Sequence, residues 1–253
     1  MAKAMLGGAR KRVKSAIRGV VLHQGPSVLD GVDIVLIATV SSQNAKTGDM
    51  IQTFILLTEN DPVTASKLKL DGSSCGNCPL RQSIGGPCYV NIGQAPLAVY
   101  RGFQRGIYPV YDHDQHAHLF AGRMLRMGSY GDPAAVPFEA WEPVLSLVRG
   151  NTGYTHQAAH AAFDQRFLDH VMVSADSPKQ AEKFQAAGAK TFRVAMHGDS
   201  LADDEIECLS DSQGMQCIEC GICNGQKTNV AITVHGSRKN NFKTALIPVQ
   251  EVA

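Results

Sequence analysis

The N-terminal part of the chain alternates short aliphatic runs with turns. Between Gly19 and Asn60, the stretches GVVLHQGPSVLDGVDIVLIATVS and MIQTFILLTEN are rich in β-branched residues and contain Gly-Pro and Asp-Gly turns. Such runs are typical of strands that pair with their sequence neighbours. We therefore expect a small antiparallel sheet, followed by a short helix over residues 63–70 that Asp61-Pro62 opens.

From residue 96 onward, strand patterns alternate with helix patterns. The clearest unit runs from residue 171 to 194, where Ser177 has the position of a helix cap, Pro178 that of the first helical residue and Gly188 that of the stop. This alternation predicts parallel strands joined by right-handed crossovers. We expect strands ending at Gly128, Gln157, Ala175 and His197, and one or two closing strands over 229–236 and 244–252. Helices are expected over 137–150, with a break at Pro143, over 159–169 and over 177–189.

These patterns predict an α/β fold: a partial or complete (β/α) barrel with an N-terminal small antiparallel sheet and a Cys-rich C-terminal insertion. The 253 residues, 44% hydrophobic and 19% charged, suffice for one large α/β domain. We divide the chain into a basic N-terminal arm (1–18), a β-rich region with the first cysteine loop (19–95) and a β/α region with the second cysteine site (96–253).

The net charge and the hydropathy pattern limit the classes of partner that we expect for this protein. The formal net charge is +1, which gives no general attraction to nucleic acid, although the basic arm offers a contact for its phosphates. We find no run of eighteen apolar residues and no secretory signal pattern. We therefore expect a cytoplasmic protein without a membrane partner.

All seven cysteines fall into two compact groups, spaced C-x2-C-x9-C and C-x8-C-x2-C-x2-C. A C-x2-C step brings two thiolates to one side of a turn, where a metal ion or an iron–sulfur cluster binds. An odd number of cysteines in a chain of this length argues against a disulfide framework. We expect two separate metal sites, one formed by Cys75, Cys78 and Cys88 and the other by Cys208, Cys217, Cys220 and Cys223.

Polar or glycine-rich loops follow the predicted parallel strands, at the ends where ligands bind in such sheets. Helix capping alone explains the loop 174–177, but it explains the loops 128–133, 155–157 and 197–199 less well. In the loop 128–133, the glycines let the backbone approach a ligand and aim Asp132 at it, and His156 has no capping role. The candidate cofactor-binding residues are Gly128, Ser129, Tyr130, Gly131, Asp132, His156 and Gln157.

Some of these segments resemble a known family. The loop that closes at Cys88-Tyr89 resembles the C-x-x-C-Y-A loops of radical-SAM-like proteins of phages and mobile elements. The loop MGSYGDP is similar to the Gly-Gly-Glu-Pro loop that contacts the amino group of S-adenosylmethionine in radical SAM enzymes, with Asp132 in place of the glutamate. GPSVLDGVDIVLIAT, KTGDMIQTFIL and GYTHQ also resemble phage proteins, so the resemblance covers nearly the whole chain.

The resemblance implies an iron–sulfur enzyme that uses S-adenosylmethionine on an unknown substrate. Cys75, Cys78 and Cys88 would hold three irons of a 4Fe–4S cluster and leave one iron open for this cofactor, whose ammonium Asp132 would contact. The second cysteine group would hold a fully ligated auxiliary cluster. A phage-encoded protein would act in the host cytoplasm.

Two alternatives remain open. In a zinc-stabilised nucleic-acid-binding or scaffold protein, the second cysteine group would form a closed zinc site, and one of His113, His116 or His118 would complete the first. In a metallonuclease, His116 and His118 of the segment DHDQHAHLF would alternate along a strand as two metal ligands.

Overall fold

The computed structural model describes residues 17–242, and strands in this range form one nine-stranded sheet. Strands β1, β2 and β3 coincide with the aliphatic runs of the N-terminal part, whereas β5 (GNTGYT) and β8 (EIE) contain no such run. Their bounds are β1 Gly19–Pro26, β2 Asp33–Thr39, β3 Ile51–Leu57, β4 Met124–Tyr130, β5 Gly150–Thr155, β6 Met172–Ala175, β7 Thr191–Ala195, β8 Glu205–Glu207 and β9 Asn229–Thr233.

The helices of the described part are short. The longest, α3 and α6, have ten and nine residues. The α-helices are α1 Pro62–Lys67, α2 Gly72–Cys75, α3 Ala95–Gln104, α4 His113–His116, α5 Glu142–Leu145, α6 Pro178–Ala186, α7 Leu209–Ser212 and α8 Cys217–Cys220. Turns of 3-10 helix cover Gln82–Ile84, Ala117–Leu119, Pro133–Ala135, Phe138–Ala140, Gln165–Asp169 and Lys239–Asn241. Within residues 17–242, no helix is long and apolar enough to cross a membrane.

The sheet has the order β1-β2-β3-β4-β5-β6-β7-β9-β8. Strand β2 pairs antiparallel with β1 and β3, and all other neighbouring pairs are parallel. The carboxyl ends of β3–β9 therefore lie along one edge. The predicted mixed α/β fold with parallel strands is confirmed. The sheet has two ends, β1 and β8, and in the described part of the chain no pairing joins them into a closed barrel.

The predicted antiparallel sheet is present, but it is continuous with the parallel strands. Strand β3 pairs with β4 through Gln52 and Arg126, which are opposite each other in the register. The predicted regions 19–95 and 96–253 therefore share one sheet. The predicted closing strand over 244–252 and nearly all of the basic arm lie outside the described residues.

The predicted helix caps are confirmed. Asp61 accepts hydrogen bonds from the amides of Val63 and Thr64 at the start of α1, and Ser177 accepts one from Gln180 at the start of α6. The predicted helix over 159–169 is wrong, because only the 3-10 turn Gln165–Asp169 forms there. Two side chains of this segment, His160 Nδ1 and Asp164 Oδ1, accept local backbone hydrogen bonds that compete with a helix.

The two faces of the central sheet have different environments. Leu125 and Met127 of β4 point into the main hydrophobic core, which also contains Trp141. All three residues are completely buried. Because side chains alternate along a strand, Arg126 points to the opposite face. That face is covered by α3 over the first strands and by the two cysteine segments over the others, which leaves a cavity between them.

A buried ion pair lies at the β7–β9–β8 end of the sheet. Arg193 of β7 donates from Nε and Nη2 to the two carboxylate oxygens of Glu205 of β8, and both side chains are almost completely buried. Burial opposes ionisation of Glu205, but the hydrogen bonds from Arg193 and the Ala202 amide outweigh it and lower its pKa. The pair therefore stabilises the fold only while Glu205 is ionised.

We predict that Glu205→Gln lowers the free energy of unfolding at pH 7 by about 3 kcal/mol or more, because Arg193 is left buried without its counter-charge. In the wild type, this stability is present above the ordinary glutamate pKa of about 4.3 and is lost as the pH falls through the lower folded-state pKa.

Urea unfolding between pH 7 and pH 3 measures both effects. Glu182→Gln, at an exposed position of α6, is the matched control and should change neither the stability nor its pH dependence. A loss below about 1 kcal/mol in Glu205→Gln would contradict the prediction.

Candidate functional site

A cavity of about 900 Å³ lies on the face of the sheet opposite the main core. Its floor consists of alternate residues of the strands β3–β7 and β9, because every second side chain of a strand points to the same face. The cysteine segments and the loop 41–47 form its rim. The floor includes Gln52 and Phe54 of β3, Arg126 of β4, Thr152 and Tyr154 of β5, Ser174 of β6, Phe192 and Val194 of β7, and Ile232 of β9.

The segment of the first cysteine group contacts the carboxyl ends of the parallel strands β4 and β5. Cys75 ends α2, and Gly76 follows with a positive φ of 62°. A side chain on Gly76 would overlap Gln157, since a Cβ there would lie 2.2 Å from Gln157 Cδ. Gln157 in turn donates to the Cys75 carbonyl at 3.3 Å. Glycine at residue 76 therefore lets the cysteine loop contact the end of β5.

Asp132 connects the first cysteine segment to the ends of β4 and β5. Its backbone amide donates to the Ser74 carbonyl at 2.7 Å. Its carboxylate accepts hydrogen bonds from the amides of His156 and Ala134, at 2.8 and 3.0 Å. Burial raises the pKa of Asp132 against the opposing effect of these bonds. Both oxygens of the carboxylate are thus bonded to the protein itself, and Asp132 positions the backbone around the cavity.

His156 lies between the first cysteine group and β6. Its Nε2 atom is 3.9 Å from Cys78 Sγ and 3.3 Å from an Asp176 carboxylate oxygen. Burial opposes a charge on His156, but Cys78 and Asp176 outweigh it and raise the pKa well above the ordinary value. Both contacts involve the same nitrogen, so the three residues do not form a relay through opposite sides of the ring.

The second cysteine group is held by a distant loop. The Cys217 and Ile218 amides at the start of α8 donate to the carbonyls of Lys46 and Thr47, at 3.0 and 3.1 Å. The Cys223 carbonyl accepts a hydrogen bond from Gly153 of β5 at 3.0 Å. The loop before β3 and the middle of β5 together place these cysteines above the floor of the cavity.

All seven cysteines line this one cavity, from two sides. Their side chains are of the type that binds zinc or iron–sulfur clusters. Within residues 17–242, however, no three His, Cys, Asp or Glu side chains form a metal-binding group. The chemical type of the cysteine side chains therefore fits a metal, but their positions do not form a closed ligand set. The described thiols are free, without disulfides.

Burial raises the pKa of the Cys75, Cys88 and Cys223 thiols. It raises the pKa of Cys88 to about 11 and that of Cys223 to about 12. The pKa of Cys75 is raised well above its ordinary value by burial and by the neighbouring Cys78 and Cys88. These thiols are neutral at pH 7, and raised values of this kind are the opposite of what a nucleophilic cysteine needs.

The structure brings most of the predicted cofactor residues together. Gly128, Ser129 and Tyr130 belong to the end of β4, and Gly131, with φ of 86°, passes so close to Ile55 that a Cβ would lie 2.7 Å from it. Those four residues, with Asp132 and His156, line the cavity. Gln157 is buried and is not among the lining residues; it joins β5 to the cysteine loop.

The histidines considered as zinc or nuclease ligands lie elsewhere. His113 begins α4, and His116 ends it, so the segment is helical, and the prediction of a strand with two alternating ligands is wrong. The N-cap Asp112 favours the helix by accepting from the Gln115 amide at 3.0 Å. None of His113, His116 and His118 lines the cavity. The loop 197–199 also lies outside it.

Among the cavity residues that the sequence analysis did not identify, three have a distinct role in the site. Arg126 interrupts the aliphatic pattern of β4, and this is the signal that could have identified it. Tyr154 lies in a strand that the sequence predicted, but no sequence pattern marks it as a cavity residue. Asp176 follows β6 in the loop that capping explained, and the structure gives that loop both roles: Ser177 caps α6, and Asp176 contacts His156.

Comparisons of the chain with protein-family models, with curated proteins and with solved structures find no match.

We predict that Asp132→Asn lowers the free energy of unfolding by about 1–3 kcal/mol, because the amide group of asparagine presents an N–H to one of the two backbone donors. Amide hydrogen exchange at His156 and Ala134 should become faster. Asp114→Asn, at an exposed position of α4, is the control and should change neither measurement. Unchanged stability together with unchanged exchange would disprove the role of Asp132 in joining these segments.

Proposed function

We propose that this protein is a radical-SAM-like iron–sulfur enzyme whose active site is the cavity between the two cysteine groups. Cys75, Cys78 and Cys88 would hold a 4Fe–4S cluster with one open iron, and Cys208, Cys217, Cys220 and Cys223 a fully ligated auxiliary cluster. S-adenosylmethionine would bind near the end of β4. When bound, an open cluster supplies electrons and a coordination position for this cofactor.

One observation carries the proposal: all seven cysteines line the same cavity, next to the glycine-rich end of β4 and over the carboxyl ends of the parallel strands. Structural zinc sites are closed and have no need to share a cavity with each other or with a glycine-rich loop. An enzyme needs its electron source, its cofactor loop and its substrate within one enclosed space. The resemblance of the loops in the sequence points in the same direction.

The protein's own residues would have distinct tasks. Gly131 lets the end of β4 pack against Ile55 and the Ser74 carbonyl, and this packing places the loop at the cavity wall. The Ser129 hydroxyl lines the cavity and donates a hydrogen bond to Gln52. Asp132 would position this loop and the His156 backbone, in place of the direct contact with the cofactor that the sequence suggested. The partial barrel is part of the proposal, because a curved sheet would enclose the floor of the cavity. A reducing cytoplasm would keep the thiols available as ligands.

Anaerobic reconstitution with iron and sulfide tests the proposal. We predict broad absorption near 400 nm and roughly eight irons per chain, about four for each site. Cys78→Ser should lose the iron of the first site alone, and Cys220→Ser that of the second. Cys220→Ser should also destabilise the fold more than Cys78→Ser, because a closed metal site is coupled to folding.

A colourless reconstituted protein would falsify the proposal. Loss of the iron of the same site in Cys78→Ser and in Cys220→Ser would also contradict it, because the two cysteine groups would then form one site.

S-adenosylmethionine binding separates an enzyme of this class from a simple iron–sulfur protein. We predict that the reconstituted wild type binds it in calorimetry, that Cys75→Ser abolishes binding, and that Cys220→Ser retains it, because only the first site would offer an open iron. The Cys220→Ser variant is the matched control for the loss of one cysteine. Equal affinity in all three proteins would show that the first group is not the cofactor site.

Zinc is the second candidate, and the position of His156 favours it. His156 would complete a Cys3His ligand set with Cys75, Cys78 and Cys88. It would take the place of His113, His116 or His118, one of which the sequence suggested as the fourth ligand. The protein would then be a zinc-stabilised scaffold or nucleic-acid-binding module, with the basic arm as its phosphate contact.

The variant His156→Asn distinguishes the two candidates. Under the zinc proposal it should lose the metal of the first site, whereas under the iron–sulfur proposal the three cysteines retain their cluster. His118→Asn, at an exposed position outside the cavity, is the control. Metal content of the purified variants, measured by elemental analysis, gives the answer.

A further inference from the structure

We propose that the cavity binds a small molecule bearing an oxyanion, a carboxylate or a phosphate, and that Arg126 holds this group. The inference deepens the proposed function and rests on it, because the anion would belong to the molecule on which the enzyme acts. It follows from the position of one arginine on the floor of the cavity.

Arg126 is a buried cation in the middle of the sheet. Its side chain is 5% exposed, and it lines the cavity between Gln52 of β3 and Thr152 of β5, its neighbours in the register. Nη1 contacts Thr152 Oγ1 at 3.4 Å, and the guanidinium carbon lies 4.3 Å from the centre of the Tyr154 ring. A guanidinium has five N–H donors, so these contacts leave most of its capacity unused.

The charge of Arg126 has no carboxylate partner within residues 17–242, where it forms no ion pair. The other lysine and arginine side chains of the cavity wall are paired: Lys46 with Asp211 at 2.9 Å and Arg81 with Asp71 at 3.3 Å. A buried charge without a partner is costly, and proteins retain such charges where a ligand completes the pair. The guanidinium fork matches a carboxylate or phosphate in geometry.

The surroundings of Arg126 indicate the rest of the ligand. On the side of β7 and β9, the floor is apolar and is formed by Phe192, Val194 and Ile232. A volume of about 900 Å³ is large enough for a drug-sized molecule. The ligand would therefore place an apolar or aromatic body against these side chains and its anionic group on Arg126.

Calorimetry with three probes of similar shape tests this inference on the purified full chain: benzoate, phenyl phosphate and the uncharged benzamide. We expect the wild type to bind at least one of the anions about tenfold or more tightly than benzamide, because hydrogen bonds between charged groups contribute this much to binding. The anion that binds more tightly tells whether the natural ligand carries a carboxylate or a phosphate. Equal binding of all three probes would overturn the inference.

Arg126→Met should abolish the preference for anions and leave the metal content unchanged. Arg105→Met, at an exposed position outside the cavity, removes one positive charge as the matched control and should retain the preference. If the methionine variant does not fold, Arg126→Gln keeps N–H donors and removes the charge, and it must lose the preference as well. A preference that persists in either Arg126 variant would refute the assignment.

Metal analysis of the same samples separates this inference from the proposed function. Loss of metal in Arg126→Met or Arg126→Gln with unchanged anion binding would mean that Arg126 compensates the charge of the cysteine ligands, and the inference would be wrong. An anion preference in a wild-type protein that takes up no iron would overturn the proposed function and support the anion site.

Discussion

The buried carboxylate of Asp132 joins segments that are far apart in the sequence. Through its two oxygens it holds the amides of Ala134 and His156, and its own amide holds the carbonyl of Ser74. The end of β4, the end of β5 and the first cysteine segment are thereby fixed against one another. The distance between Cys78 and His156, and hence the shape of that side of the cavity, depends on this set of hydrogen bonds.

The sheet adds a second constraint, because one face is used by the main core. Leu125 and Met127 must point towards Trp141, so Arg126 between them must point away from it. The same two-residue period places Phe192 and Val194 on the cavity side of β7 and leaves Arg193 to pair with Glu205 on the other side. A polar residue in an otherwise apolar strand can thus have either role, ion pair or cavity floor, depending on its face.

Much of the fold could be predicted from local patterns. The strands β1 to β7 and β9 follow from the local pattern of the sequence, and the caps at Asp61 and Ser177 follow from capping rules. The rule for parallel sheets placed the glycine-rich end of β4 at the edge where the cavity lies. The helical form of the segment 113–116 also has a local cause, the cap at Asp112, which the alternation of His116 and His118 concealed. Other features have no local signal. The sequence of β8 is too short to show a period. The pairing of His156 with Cys78 joins residues 78 positions apart, and no local pattern encodes it.

The hydrogen bonds between α8 and the loop before β3 have a consequence for the synthesis of the chain. Cys217 and Ile218 contact Lys46 and Thr47, so a loop made early finds its partner only after most of the polypeptide has been translated. Contacts of such long sequence separation form late and slow the folding of a domain. During translation, the cavity therefore lacks one wall, and the two sets of thiols remain apart until the segment 208–223 has been made.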